Sequence, residues 1–208
     1  MSTTVLCLAA PVHAQETQNE GEAWLRAGLY KKWGKIRLGV SPEFRTSGLE
    51  PESYMARTTV RYRPVKYFDV QAGYRFQFKE KGDALEARHR AELSLTGRYS
   101  FGPITPSLRI RYTDALNSPD APKRRLRYRG ELAYELKKLD LELAGSVAPF
   151  HDLVEQNLLK MRYHLGVEYK FDKKKPLKQK LGLAYRLDYH LQEYLNVHIV
   201  LLSYSLSF

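Results

Sequence analysis

Apolar and polar positions exchange at nearly every step along this chain from about residue 22 onward. Between residues 69 and 79 one phase holds Val70, Ala72, Tyr74, Phe76 and Phe78, and the other Gln71, Gly73, Arg75, Gln77 and Lys79. Between 125 and 136 Leu126, Tyr128, Leu132, Tyr134 and Leu136 alternate with Arg127, Arg129, Glu131 and Glu135. The final segment, "VHIVLLSYSLSF", keeps Val200, Leu202, Tyr204, Leu206 and Phe208 in one phase. Period-2 alternation places successive side chains on opposite faces, which is the signature of a strand with two different surroundings. It predicts strands near 22–31, 36–46, 54–63, 69–79, 87–99, 104–114, 125–136, 139–150, 159–171, 178–190 and 197–208. Most reach the roughly 9 to 11 residues that a tilted strand needs to cross a bilayer.

The connections support the same reading. Short ones fall at "KWGK", "PVKYF", "SFGP", "KK" and "DKKKPL", and longer polar ones around 47–53, 80–86, 115–124, 151–158 and 191–196. Tight turns at one end and loops at the other are the pattern of up-and-down outer-membrane barrels. The stretch "HDLVEQNLL" predicts a helical turn within one of the loops.

Alternation alone leaves open which face is inside. A soluble lipocalin-like barrel would bury the apolar phase. A closed barrel of ten or more strands has an interior too wide for apolar side chains to fill, so an apolar lining would leave a void. The charged phase therefore belongs inside and the apolar phase faces lipid. The expected fold is all-β, an up-and-down antiparallel transmembrane β-barrel of ten to twelve strands. Such barrels normally have even strand counts. Residues 36–208 supply ten strands, and "EAWLRAGLY" is then an extra strand, a plug or half of a pair, because Trp24 and Arg26 share a phase.

Composition changes the picture in three respects. No apolar run approaches the roughly 18 residues of a spanning helix. At the amino terminus "VLCLAAPVHAQ" reads as the apolar core and cleavage site of a secretory signal, 1–14, cut after Ala14 and followed by a barrel over 15–208. The single cysteine, Cys7, falls inside that signal, so the barrel carries no disulfide framework. The 34 Lys+Arg outnumber the 23 Asp+Glu, but the arginines are spread over many strands and form no single exposed patch of the kind that binds nucleic acid.

The chain resembles an uncharacterised, domain-of-unknown-function family of predicted outer-membrane β-barrels of Gram-negative bacteria. The resemblance rests on Trp24 followed by "YKKWGK", on "RLRYRGELAYEL" and "KMRYHLGVEYKF", and on the terminal aromatic strand. It implies location and architecture, and brings no activity or site residues.

The inward phase is the chemically specific feature. Its lumen-lining set is Arg57, Arg61, Arg75, Arg90, Glu92, Arg109, Arg111, Arg127, Arg129, Glu131, Arg162, Glu168 and Arg186. Treating "SFGP" as a four-residue hairpin loop pairs Tyr99 with Ile104 and Glu92 with Arg111. Arginine-rich linings favour anions, so one reading is a small anion-leaning channel, with small anionic solutes as partners. The alternative is a structural or partner-binding barrel, closed by interlocked arginines and carboxylates. A lipid-surface hydrolase is a third reading, but no G-x-S-x-G or H-E-x-x-H motif appears among the six histidines, and no cofactor or metal is expected. On the apolar phase, Tyr62, Tyr99, Phe171 and Phe208 gather at the short-turn end and Phe44, Tyr54, Tyr112 and Tyr189 at the other, as membrane-interface girdles against outer-membrane lipids. The terminal strand is the segment through which the barrel-assembly machinery is expected to act.

Overall fold

The computed structural model describes residues 18–48, 50–81, 84–117, 123–171 and 177–208. Residues 1–14, read above as a signal segment holding Cys7, and most of "DKKKPL" lie outside the described residues. Eleven strands run in chain order: β1 (Gln18–Trp33), β2 (Ile36–Ser47), β3 (Glu50–Val65), β4 (Phe68–Lys81), β5 (Ala84–Arg98), β6 (Ile104–Ala115), β7 (Arg124–Leu136), β8 (Leu141–Asp152), β9 (Asn157–Phe171), β10 (Lys178–His190) and β11 (Leu195–Ser207). Each pairs with the next, and β1 pairs with β11 to close a barrel. Among the described residues there is no helix.

The strand count is odd, and the seam explains how that is possible. Every sequential pair is antiparallel, but β1 and β11 run parallel, in register from Gln18 opposite Leu195 to Tyr30 opposite Ser207. "EAWLRAGLY" is thus neither a plug nor a supernumerary segment: it lies within β1, the closing strand. A barrel in lipid must satisfy every edge N–H and C=O from within, and a parallel ladder does this as well as an antiparallel one. The strand phase survives too. Trp24 and Arg26 share a face because both point inward.

Three further expectations give way at the connections. The ladders run on past the alternating cores, so the links at the Gln18 end are 48–49, 82–83, 116–123, 153–156 and 191–194, together of nearly the same length as those at the Phe208 end. In "HDLVEQNLL" the chain turns without a helix: Asp152 Oδ1 accepts from the Val154 and Glu155 backbone N–H groups at 2.9 and 3.3 Å, and Gln156 takes a positive φ of 53°. The β5–β6 hairpin is also tighter than a four-residue loop. Phe101 and Ile104 exchange backbone hydrogen bonds of 2.8 and 3.0 Å around Gly102, whose φ of 58° is freely open to glycine. The register consequently shifts by two, placing Glu92 opposite Thr113 and Ser94 opposite Arg111.

The two faces differ as a lipid-facing barrel requires. Among the described residues twelve polar or charged side chains are buried against six hydrophobic ones, whereas aromatic and aliphatic side chains such as Leu165, Leu183 and Val200 are half exposed. On β11 Val197, Ile199 and Leu201 point inward and are buried, while Val200, Leu202 and Tyr204 point outward and are exposed. A soluble barrel with an apolar interior is excluded by that distribution.

Candidate functional site

The interior is organised by four buried carboxylates, each drawing cations from neighbouring strands. Glu92 of β5 accepts hydrogen bonds from Arg57 of β3 and Arg75 of β4, and Arg111 Nη1 of β6 lies 3.6 Å from it. This reach depends on Gly73, which stands opposite Glu92 and leaves the space that the carboxylate crosses to Arg57. Glu43 of β2 accepts from Arg26 Nε at 2.5 Å and from Arg45 Nε at 2.7 Å. Asp188 of β10 accepts from Lys160 Nζ at 2.6 Å and from Arg162 Nε at 2.5 Å. Asp69 of β4 pairs with Arg98 and lies 3.8 Å from Arg61 Nε. Charge-assisted bonds between strands of this kind are strong where water is scarce.

Between these hubs lies a cavity of about 270 Å³ lined from ten of the eleven strands. Its wall holds twelve arginines and Lys160 but only two carboxylates, Glu43 and Glu92. Four of those arginines have no carboxylate partner among the described residues. Arg109 Nε donates to Thr96 Oγ1 at 3.1 Å, Arg186 Nε donates to His164 Nδ1 at 3.3 Å, Arg127 lies over the Phe150 ring at 5.0 Å, and Arg90 has no hydrogen-bond partner among the described residues. Arg129 is bonded to both Glu131 and Ser146 Oγ. The strand register sets arginines against one another, with Arg109 opposite Arg129, Arg111 opposite Arg127, and Arg57 opposite Arg75.

Of the thirteen residues read as lumen-lining, ten line this cavity, from Arg57 on β3 round to Arg186 on β10. The other three stand elsewhere on the inward phase. Arg61 donates to Gln71 Oε1 at 3.1 Å and borders a recess at the Phe208 end, Glu131 is tied to Arg129, and Glu168 accepts from Lys180 Nζ at 2.5 Å. Glu92 and Arg111 approach diagonally, two residues off the pairing that the hairpin length suggested.

Sequence reasoning missed part of the wall. Trp24 is buried at 3% exposure and gathers Arg45 at 3.7 Å, Arg186 at 5.2 Å and Arg162 at 5.5 Å about its ring. An indole face stabilises cations that would otherwise repel. Arg26, Glu43 and Arg45 were legible in the polar phase of β1 and β2, but β1 was set aside as irregular. Phe150 and Lys160 were also missed. Phe150 breaks the polar phase of β8.

The outward aromatics occupy both ends. Phe44 and Tyr54 are neighbours across β2–β3, ring centroids 5.0 Å apart, with Tyr112 and Tyr189 near the same end. Tyr62, Tyr99, Phe171 and Phe208 stand at the other end, where Tyr99 stacks on Tyr67 at 5.3 Å. His89 and His198 sit on the outer face, bonded to Tyr74 and Tyr185 hydroxyls at 2.5 and 2.6 Å. Among the described residues no group of three or more His, Cys, Asp or Glu side chains is placed to hold a metal.

The fold has counterparts among known structures. The NanC porin structure in a rhombohedral crystal form superposes with a TM-score of 0.51 at 12% identity, over 79% of this chain and 85% of that one. An anion-selective porin from Comamonas acidovorans matches at 15% identity and a TM-score of 0.38, over 76% of this chain and 46% of that one. The first likeness is one of fold: a porin-like barrel. No curated protein matches the chain. A family model described as "Protein of unknown function (DUF2490)" matches residues 21–194, from within β1 to the end of the β10–β11 link, and the chain belongs to that family.

Proposed function

We propose that this protein is an outer-membrane barrel whose arginine-lined interior takes up small anions and lets them pass. The observation that carries the reading is the charge imbalance around the cavity: thirteen cationic side chains, two carboxylates, and arginines set directly opposite one another. Like charges opposed across strands cost stability, and so does stripping guanidinium groups of water. A mobile anion offsets both costs. The outward apolar face, the aromatic ends and the porin-like fold support the outer membrane as its location, with lipids against Leu165, Leu183 and their neighbours. The outward row of β11 ending at Phe208 is the part we assign to recognition by the assembly machinery.

Reversal potentials across a KCl gradient, measured on protein refolded into planar bilayers, test the reading. Anion preference that weakens as salt rises is the expected result, since screening shortens the reach of the lining charge. Cation preference would reject it. A specific observation favours a second reading, a barrel that holds anions without conducting them: the cavity walled by Trp24 and by the Glu43 and Glu92 hubs is about 270 Å³. Folded barrels with no conductance would favour that reading.

A further inference from the structure

We infer that the Phe208 end of the lumen holds a second anion site, separate from the central cavity and suited to a compact phosphate bearing two or more charges. It goes beyond the passage of small anions assigned above to the central cavity.

The site lies at the closing seam. Gly34, at a φ of 54°, and Lys35 form a two-residue turn that sets Trp33 opposite Ile36. One pair further in, Lys32 of β1 stands opposite Arg37 of β2, and Arg37 stands opposite Arg61 of β3. Three cations thus follow one another across three neighbouring strands, with backbones about 5 Å apart at each step. The Lys35 carbonyl accepts from the Arg63 N–H at 2.9 Å, which holds the turn against β3. Across the seam, Lys178 and Lys180 of β10 stand opposite Ser207 and Ser205 of β11.

These residues border a recess of about 460 Å³ that shares no lining residue with the central cavity. Eight of its fourteen lining residues are Lys or Arg, and among the described residues none is Asp or Glu. Lys180 is paired with Glu168, and Arg61 and Arg63 lie 3.8 and 3.7 Å from Asp69, which Arg98 already engages. Lys32, Lys35, Arg37, Lys66 and Lys178 have no Asp or Glu partner among the described residues. The other carboxylates toward this end are engaged across the lumen, Glu135 and Glu142 with Lys170 and Glu131 with Arg129. The carboxyl group of Phe208 accepts from the Lys32 backbone N–H and offsets at most one of the five charges.

Arg37 is held in place without spending its donors. Gly39 stands opposite Tyr30, and a Cβ there would come within 2.6 Å of the Tyr30 ring, so the ring occupies the space that the glycine leaves. The Arg37 guanidinium lies 4.1 Å from the centre of that ring, and its Nε is buried with no hydrogen-bond partner among the described residues. Stacking on an aromatic face uses none of the five N–H donors of a guanidinium.

A chloride ion can offset one of these charges. Opposed cations on adjacent strands cost stability, and only an anion of higher valence offsets Lys32, Arg37 and Arg61 together. The donors converge from five strands and two turns on one concave space, so the oxygens of a tetrahedral phosphate meet more of them than the two oxygens of a carboxylate. The Ser205 and Ser207 hydroxyls, which have no hydrogen-bond partner among the described residues, complete the set. Free phosphates and the phosphate headgroups of lipids share this chemistry.

The test is calorimetric titration of folded protein in nonionic detergent, at constant ionic strength, with pyrophosphate, with citrate as an organic anion of similar charge, and with chloride. Pyrophosphate is expected to bind about tenfold more tightly than citrate, the return on one further charge-assisted bond, and chloride to give no saturable heat. Arg37→Gln should weaken pyrophosphate about tenfold. Because Arg37 packs on Tyr30, the paired change Lys32→Gln and Lys178→Gln, at two exposed lysines, provides a second variant with the same expected loss. Lys137→Gln with Lys138→Gln removes equal charge from the exposed β7–β8 turn at the same end and should shift binding less than about twofold. Nanodiscs with and without phosphatidic acid identify the source: competition by that lipid upholds the site with a headgroup as its occupant, and no competition upholds it with a free phosphate. Equal affinity for citrate would overturn the choice of phosphate, and an equal loss from the Lys137 and Lys138 changes would overturn the site as diffuse attraction. A loss with Arg127→Gln and none with the recess variants would put the ion in the central cavity, overturning the inference and leaving the anion reading intact. Absence of pyrophosphate binding in a barrel that still prefers anions would do the same.

Discussion

Trp24 of β1 and Leu201 of β11 stand side by side on the inner wall, at the one junction among the eleven where neighbouring strands run parallel. They are buried at 3% and 4% exposure and share a cluster with Val197 and Ile199. A parallel ladder is slightly weaker per residue than an antiparallel one, so this seam leans on packing. Trp24→Ala should cost about 3 to 5 kcal/mol and Leu201→Ala about 2 to 4 kcal/mol. Leu202→Ala, one residue along and facing out, should cost about 1 kcal/mol or less, since its neighbours there can close over the gap. Urea unfolding in vesicles, followed by heat-modifiable mobility, measures all three. Matching midpoints for the Leu201 and Leu202 variants would contradict an inner apolar seam.

Phe208 extends that seam by two backbone hydrogen bonds of 3.0 Å, from its own N–H to the Tyr30 carbonyl and from the Lys32 N–H to its carbonyl, and Lys31 Nζ lies 4.8 Å from its ring centre. Deleting Phe208 should lower the yield of folded barrel well below that of a deletion at Val154, in the β8–β9 turn. Refolding yields from the two variants decide it, and equal yields would show that the seam is complete without this residue.

Glu92 is the carboxylate on which three arginines converge, and it is almost wholly enclosed. Glu92→Gln should destabilise the barrel by about 3 to 5 kcal/mol, as expected when one partner is removed from a buried ionic group. Glu131→Gln, whose partner Arg129 keeps Ser146, should cost about 1 kcal/mol. The difference in urea midpoint is the measurement. A Glu92 variant as stable as the Glu131 variant would mean that the three arginines find solvent or anions without it.

Arg109 and Arg129 face each other across β6 and β7, but among the described residues only Arg129 is paired with a carboxylate. Charge that is already neutralised adds little to the potential of the lumen. Arg109→Gln should therefore move the reversal potential further toward cations than Arg129→Gln, and the double variant furthest. An equal shift from each single change would show that Glu131 does not shield Arg129 when the lumen is filled with electrolyte.

The outward apolar phase should hold the protein in the membrane. Carbonate-resistant pelleting with the outer-membrane fraction is expected. Recovery of folded protein in the soluble fraction would overturn the assignment of that face to lipid.

The ten strands β2 to β11, and the phase of each, were legible from alternation, because a period of two is written into neighbouring residues and needs no knowledge of distant partners; β1, where Trp24 and Arg26 share a phase, was not. Val70 and Gln71 take opposite faces whatever β4 is paired with. The sign of the interior followed as well, from the geometry of a wide closed barrel. The parallel seam was not legible. Whether β1 meets β11, and in which direction, is a choice between strands about 180 residues apart, made when closure of the sheet brings two edges together. The partners of each arginine were hidden for the same reason. Glu92 reaches Arg57 across two strands and Arg111 on a diagonal, and these distances depend on register, on the two-residue turn at Gly102 and on the space above Gly73. A list of inward arginines is local information. Which of them is left to meet an anion is decided only when eleven registers are fixed at once.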